Sequence, residues 1–254
     1  MTNPWFPYRA ARQNPQLKLF CFAFAGGAAS LFRTWPLKLP DWVEVVAVQL
    51  PGRESRLREP LYTDLMSLVN DLGQVLAPEL NQPFAFFGHS LGAMISFELA
   101  RELRRLQVAQ PSWLWLSARR APQLLDTSPR IAHLSKQAFT EHMIQHYQGI
   151  PPEVAREPEL MNLFVPIMHA DIQMVETYAY ADQPALDCPL TVIGGIDDPT
   201  MTMAHLSPWR QQTSKRFNLR QVPGDHFFVR NQPDLLLQII NEELNLLTTF
   251  NQLE

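Results

Sequence analysis

Cysteine is nearly absent: Cys21 and Cys188 are the only two in 254 residues. Each stands in an apolar run, which reads as a buried free thiol and not as part of a disulfide framework. Such usage is compatible with a reducing compartment, and a cytoplasmic location is expected. An excess of basic charge is also missing. Against 21 Lys and Arg stand 25 Asp and Glu, a formal net charge of −4, so nothing marks a nucleic-acid partner. No apolar run approaches the length of a membrane span. Residues 1–12 contain prolines and aromatics but no continuous apolar stretch, so a signal peptide is not expected. Internal repeats and low-complexity linkers are lacking, and no Cys/His cluster has metal-ligand spacing, so no metal is expected.

What the chain does have is enough apolar material for a core, with 46% hydrophobic and 18% charged residues. Short apolar runs predict strands at 17–24, 43–50, 84–87, 113–116, 189–193 and 217–222. Helical patterns lie between them, at 91–106, at 233–247, and in a segment capped by Thr63 that runs toward Ala77 before Pro78 ends it. Strands alternating with helices predict an α/β fold with a mostly parallel sheet covered on both faces, one domain over 1–254. Residues 123–183 break the rhythm. They hold helical pieces at 135–147 and 160–180 and the methionines Met143, Met161, Met168 and Met174. An insertion of this length after a strand is expected to form a helical cap over the sheet's carboxyl edge. Its methionines suit either an adaptable apolar pocket or plain core.

The strongest motif is Gly88-His89-Ser90-Leu91-Gly92. It follows the predicted strand 84–87 and opens the helix 91–106, the strand–turn–helix context in which G-x-S-x-G forms the nucleophile elbow of an α/β-hydrolase fold. Ser90 is the candidate nucleophile. A serine hydroxyl needs a base, and in this fold an acid and then a histidine follow the serine. Of the seven histidines, His226 lies directly after the last predicted strand, in Pro223-Gly224-Asp225-His226-Phe227-Phe228, and is the expected base. His89 is expected to pack or hydrogen-bond within the elbow; His133, His142, His146 and His169 are expected to be surface or packing residues. The acid should follow the preceding strand, where Gly194-Gly195-Ile196-Asp197-Asp198-Pro199 stands. Either aspartate could orient an imidazole, but the usual Gly-x-x-Asp form of this loop selects Asp198. Asp225 is expected to be a turn residue. An oxyanion hole needs two backbone N–H groups. Leu91, after the nucleophile, is one candidate, and Ala25, in the loop Phe24-Ala25-Gly26-Gly27-Ala28-Ala29, is the other.

Several segments together resemble one family, the type II thioesterases that accompany nonribosomal peptide and polyketide synthases. They are residues 21–30 (Cys-Phe-Ala-Phe-Ala-Gly-Gly-Ala-Ala-Ser), 49–56 (Gln-Leu-Pro-Gly-Arg-Glu-Ser-Arg), the elbow, 117–122 (Ser-Ala-Arg-Arg-Ala-Pro), 194–199 and 224–228, in the family's order along nearly the whole chain. One departure is Ala23, where the family commonly has proline. The resemblance implies a Ser90–His226–Asp198 triad that hydrolyses acyl or peptidyl thioesters on the 4'-phosphopantetheine arm of carrier proteins, with no cofactor of its own, in a cytoplasmic monomer. An esterase or lipase, or an acyltransferase, would use the same triad, so these remain alternatives. Carrier proteins are generally acidic, so a local basic surface is needed for docking. Arg53, Arg56 and Arg58 after one strand, and Arg119 with Arg120 after another, are either that surface or solvated loop charge.

Overall fold

A computed structural model describes residues 3–146, 150 and 152–251. Seven strands form one sheet in the order β1-β3-β2-β4-β5-β6-β7. They are β1 (Tyr8–Arg9), β2 (Leu17–Phe22), β3 (Val43–Ala47), β4 (Phe84–His89), β5 (Leu114–Ser117), β6 (Leu190–Gly195) and β7 (Phe217–Val222). Only β1 runs antiparallel, pairing with β3; every other pair is parallel. The helices are α1 (Leu65–Leu76), α2 (Leu91–Arg105), α3 (Lys136–His146), α4 (Pro152–Arg156), α5 (Pro158–Thr177), α6 (Met203–Leu206), α7 (Phe228–Asn231) and α8 (Pro233–Asn251).

Strand periodicity sorts the core into two layers. Phe20, Phe22, Phe84 and Phe86 point to one face, where they meet Leu68 and Leu72 of α1 and Ile95 and Leu99 of α2. Leu19, Cys21, Phe87 and Trp115 point to the other, against Leu236 and Ile240 of α8. On that second face α8 also buries a carboxylate. Glu243 accepts hydrogen bonds from Trp115 Nε1 (2.7 Å), Thr191 Oγ1 (2.7 Å) and Asn218 Nδ2 (2.7 Å), so its charge is compensated by donors from three strands.

Local expectations need correction, and the strand expected over 43–50 ends at Ala47. Helix α1 is capped by Asp64, whose side chain accepts from Ser67 N at 2.8 Å, and not by Thr63. The first strand stops at Phe22 and not at residue 24, because Phe24 O accepts from Gly27 N (2.8 Å) and so begins a turn. The short edge strand β1 carried no sequence signal. Between β5 and β6 the chain forms α3, α4 and α5. The expected end of the first of these helices, Tyr147, lies outside the described residues. Met143, Met161, Met168 and Met174 are buried in the core layer beneath this segment. Among the described residues no helix is long and apolar enough to cross a membrane.

Candidate active site

Ser90 sits between β4 and α2 with φ 55° and ψ −108°. A β-substituted residue pays about 1–3 kcal/mol for such a backbone, so the surroundings must impose it. They do so by crowding. A Cβ on Gly88 would lie 2.0 Å from Gly92 O, and one on Gly92 would lie 2.1 Å from Phe22 O. Only glycine on both sides lets the turn close this tightly, and Ser90 N donates to Ser117 O (2.8 Å) to fix it to the neighbouring strand.

The hydroxyl this turn presents meets an imidazole. His226 Nε2 lies 3.0 Å from Ser90 Oγ, and His226 Nδ1 lies 2.7 Å from Asp198 Oδ2. An ionised carboxylate only accepts, so the proton sits on Nδ1 and Nε2 is left to accept from the serine hydroxyl. Asp198 is buried, and its other oxygen accepts from Thr200 N (2.8 Å) and Thr200 Oγ1 (2.6 Å). Burial pushes its carboxyl up, but the bonds from His226 and Thr200 more than offset this, and it titrates below the ordinary range. Asp197 points elsewhere. It is exposed and accepts from Gly224 N at 3.1 Å, so of the two adjacent carboxylates only Asp198 reaches the imidazole. Asp225 accepts from Phe227 N (2.8 Å) and is a turn residue.

The elbow histidine has a positioning task. His89 is fully buried, and its Nε2 lies 2.7 Å from His226 O. A carbonyl accepts, so Nε2–H donates there, and Nδ1 accepts from Ser117 Oγ (2.8 Å). The ring is thereby held in one tautomer and ties the His226 loop to β4 and β5. Burial, together with the nearby His226, lowers its pKa to about 3.

The loop after β2 is fixed from the segment between β5 and β6. Asp171 of α5 is fully buried; its Oδ2 accepts from Gly26 N at 2.7 Å. Arg53 grips the same carboxylate with two bonds of 2.8 Å, and donates to Gly27 O at 3.1 Å. The Gly26 N–H is thus engaged, and Gly26 itself has φ +76°. This three-way contact between the 49–56 motif, α5 and the glycine loop had no signal in the sequence, where Asp171 is one acidic residue in a long helical pattern. Of the two candidate oxyanion donors, Ala25 directly precedes Gly26 in this loop, and Leu91 N–H opens α2 and is in no described hydrogen bond.

Beside Ser90 and His226 lies a cavity of about 570 Å³. Met94, Phe97, Ile172, Val175 and Trp209 supply apolar walls; Arg119, Glu176 and Tyr178 supply polar ones. The 123–183 segment provides a large share of this lining. Of its methionines none contributes: the two that line the cavity are Met94 and Met201. The basic clusters also differ from a free docking surface. Arg53 and Arg56 are buried; Arg56 binds Gln49 O (2.9 Å) and Glu59 (2.5 Å). Arg120 is buried against Asp126 at 2.9 Å. Only Arg58 is exposed.

The chain is similar to known proteins along most of its length. A family model described as the thioesterase domain matches residues 17–244. The chain belongs to the thioesterase family. This thioesterase is 42% identical over 232 residues, 90% of its length and 88% of the relative's, to a protein of Brevibacillus parabrevis named linear gramicidin dehydrogenase LgrE. It is 36% identical over 244 residues to the gramicidin S biosynthesis protein GrsT of Aneurinibacillus migulanus, covering 96% of this chain and 95% of that one. Its fold matches the type II thioesterase BorB from the borrelidin biosynthetic cluster with TM-score 0.84 and 31% identity, over 96% of this chain and 98% of that one. The present sequence contains no G-x-G-x-x-G run of the dinucleotide-binding kind.

Proposed function

We propose that this thioesterase is a serine hydrolase that cleaves acyl or peptidyl thioesters from the 4'-phosphopantetheine arm of carrier proteins in nonribosomal peptide or polyketide assembly. The observation that carries the reading is the relay from Ser90 Oγ through His226 (3.0 Å) to Asp198 (2.7 Å), opening on a cavity of mixed apolar and polar walls. Its relatives in gramicidin and borrelidin biosynthesis supply the context.

The steps follow from the geometry. Ser90 Oγ attacks the thioester carbonyl while its proton moves to His226 Nε2. Asp198 holds the imidazolium by the bond to Nδ1. The carbonyl oxygen gathers negative charge, which the Leu91 and Ala25 N–H groups and the start of α2 stabilise. The C–S bond then breaks, the pantetheine sulfur takes the proton from His226, and an acyl-serine remains. Water delivers its proton to His226, attacks that ester, and releases the acid and free Ser90. None of these steps draws on a metal or cofactor. The 123–183 segment acts as the cap that shapes the acyl site, and the carrier stays outside with its arm threaded to Ser90. The three buried arginines are excluded as its docking surface.

The test is a panel of acyl-loaded carrier proteins set against oxygen esters of the same acyl groups. The expected result is at least a tenfold higher kcat/KM on the carrier thioesters. Faster turnover of the free oxygen esters would assign a small-molecule esterase instead.

A further inference from the structure

The cavity beside Ser90 is not uniformly apolar: Arg120 in its wall is paired, Arg130 is exposed at its edge, and Arg119 is the half-buried cation that no carboxylate answers among the described residues. Strands β4 and β5 pair His89 with Ser117 as their last register position, Ser90 N donates to Ser117 O at 2.8 Å, and Arg119 follows two residues after Ser117. Ala118 has φ 51°, a left-handed turn that ends the strand at this point. Arg119 lines the same cavity as Ser90 and His226 and is half-buried. Its main-chain oxygen accepts from Trp209 Nε1 at 2.7 Å, which anchors the residue.

Its guanidinium has no such partner. Among the described residues no carboxylate lies within ion-pair distance of Arg119, no side-chain hydrogen bond reaches it, and no aromatic ring stacks on it. The carboxylates of the cavity are engaged elsewhere. Asp126 pairs with Arg120 at 2.9 Å, and Glu176 accepts from Ile131 N (2.6 Å) and Ala132 N (3.1 Å). Burial lowers the Arg119 pKa to about 10, with Asp126 partly offsetting this, so the group stays charged at neutral pH at a cost in solvation. A half-buried fork of donors in the wall of the cavity that holds Ser90, with no protein partner among the described residues, matches the bidentate geometry of a carboxylate.

From this placement we infer that Arg119 forms an anion-binding subsite in the acyl pocket, and that the thioesterase accepts acyl chains bearing a carboxylate a few carbons from the thioester. The inference rests on the reading of Ser90 as the nucleophile. The apolar walls hold the chain, Arg119 holds its far end, and the thioester carbon is thereby set over Ser90. The phosphate of the pantetheine arm is a second possible source of the same anionic chemistry, and the experiment separates the two.

The probes are N-acetylcysteamine thioesters, which carry no phosphate: a series of α,ω-dicarboxylic monothioesters from glutaryl to suberyl, each beside the neutral straight-chain acyl group of equal length. The parent enzyme should show a sharp length optimum within the carboxylated series and none at that length in the neutral one. In Arg119→Gln the ratio of carboxylated to neutral kcat/KM at the optimum should fall at least tenfold, and Arg119→Lys should restore part of it. Competition in the parent, needing no variant, should show the matching free dicarboxylate inhibiting at least tenfold better than the monocarboxylate. A flat carboxylated series with an unchanged ratio in Arg119→Gln overturns the inference. So does an Arg119 effect seen only with phosphopantetheine thioesters, which would assign the phosphate. Failure to hydrolyse any thioester would instead overturn the underlying assignment of activity.

Discussion

After β3 the chain carries Arg53 and Arg56; after β5 it carries Arg119 and Arg120. In sequence the two loops look alike, each carrying arginines just past a buried strand, with Arg58 a third in the first. In the fold, the first pair is saturated: Arg53 by Asp171 and Gly27 O, and Arg56 by Glu59 and Gln49 O. In the second, Arg120 has Asp126, whereas Arg119 faces the cavity without a carboxylate. The difference is made by α5, which brings Asp171 to Arg53, whereas its Glu176, which lines the cavity with Arg119, is taken up by Ile131 N and Ala132 N. Basic residues at a sheet edge therefore do not announce a docking surface; their partners decide whether they are structural, ligand-directed or free.

The same contrast recurs within the dipeptide Asp197-Asp198 and gives the largest expected effect. Asp198→Asn should lower kcat by about 10³–10⁴-fold, because the imidazole loses the anion that fixes its tautomer. Asp197→Asn should change it by no more than about threefold. Steady-state kinetics on one thioester decides; equal losses would erase the contrast. Next, Arg53→Met strands the buried Asp171 charge and should cost about 3–5 kcal/mol in denaturant unfolding. Combining it with Asp171→Leu should return much of that, since a buried pair removed together leaves no lone charge. Activity should stay low in the double variant, because Gly26 N–H has still lost its acceptor.

A smaller effect concerns His89, buried and neutral where the arginines are charged. Its native pKa of about 3 lies below the unfolded value of about 6.5. Between those values the unfolded chain binds a proton that the native state refuses, so stability falls as pH drops below about 6.5, by about 1.4 kcal/mol per pH unit from this group. Unfolding at pH 6.5 and pH 5 should show a smaller difference in His89→Gln than in the parent. An unchanged difference would mean that His89 is already charged in the folded protein. Smallest of all, Arg58→Glu on the exposed end of the first loop should shift stability by less than about 0.5 kcal/mol; a larger loss would show that this arginine, too, has a partner.

How far the sequence could be read varies with the range of the interaction. The elbow was legible because its chemistry is local: Gly88, Ser90 and Gly92 specify a turn that little else can make. His226 and Asp198 were legible because strand order places them, each in the loop after a recognisable β-strand. The roles of Asp171 and Glu243 were not. Each is a helix residue whose partners lie far along the chain, 118 positions away for Arg53 and 128 for Trp115, and no local pattern encodes that pairing. Met143, Met161, Met168 and Met174, open in sequence between pocket and core, are core residues, a choice set by the same long-range packing. Composition says that the segment is rich in methionine, but not whether those side chains meet the cavity or the core.

The most direct test of the account is a pair of measurements on Ser90→Ala: its thermal unfolding and its turnover of an acyl-pantetheine thioester. The account predicts a folded protein, with Tm within a few degrees of the parent or above it as the elbow is otherwise unchanged, and a turnover lower by about 10⁴–10⁶-fold. A folded Ser90→Ala protein that keeps a tenth or more of the parent rate would contradict it, because the relay through His226 and Asp198 would then be serving no nucleophile.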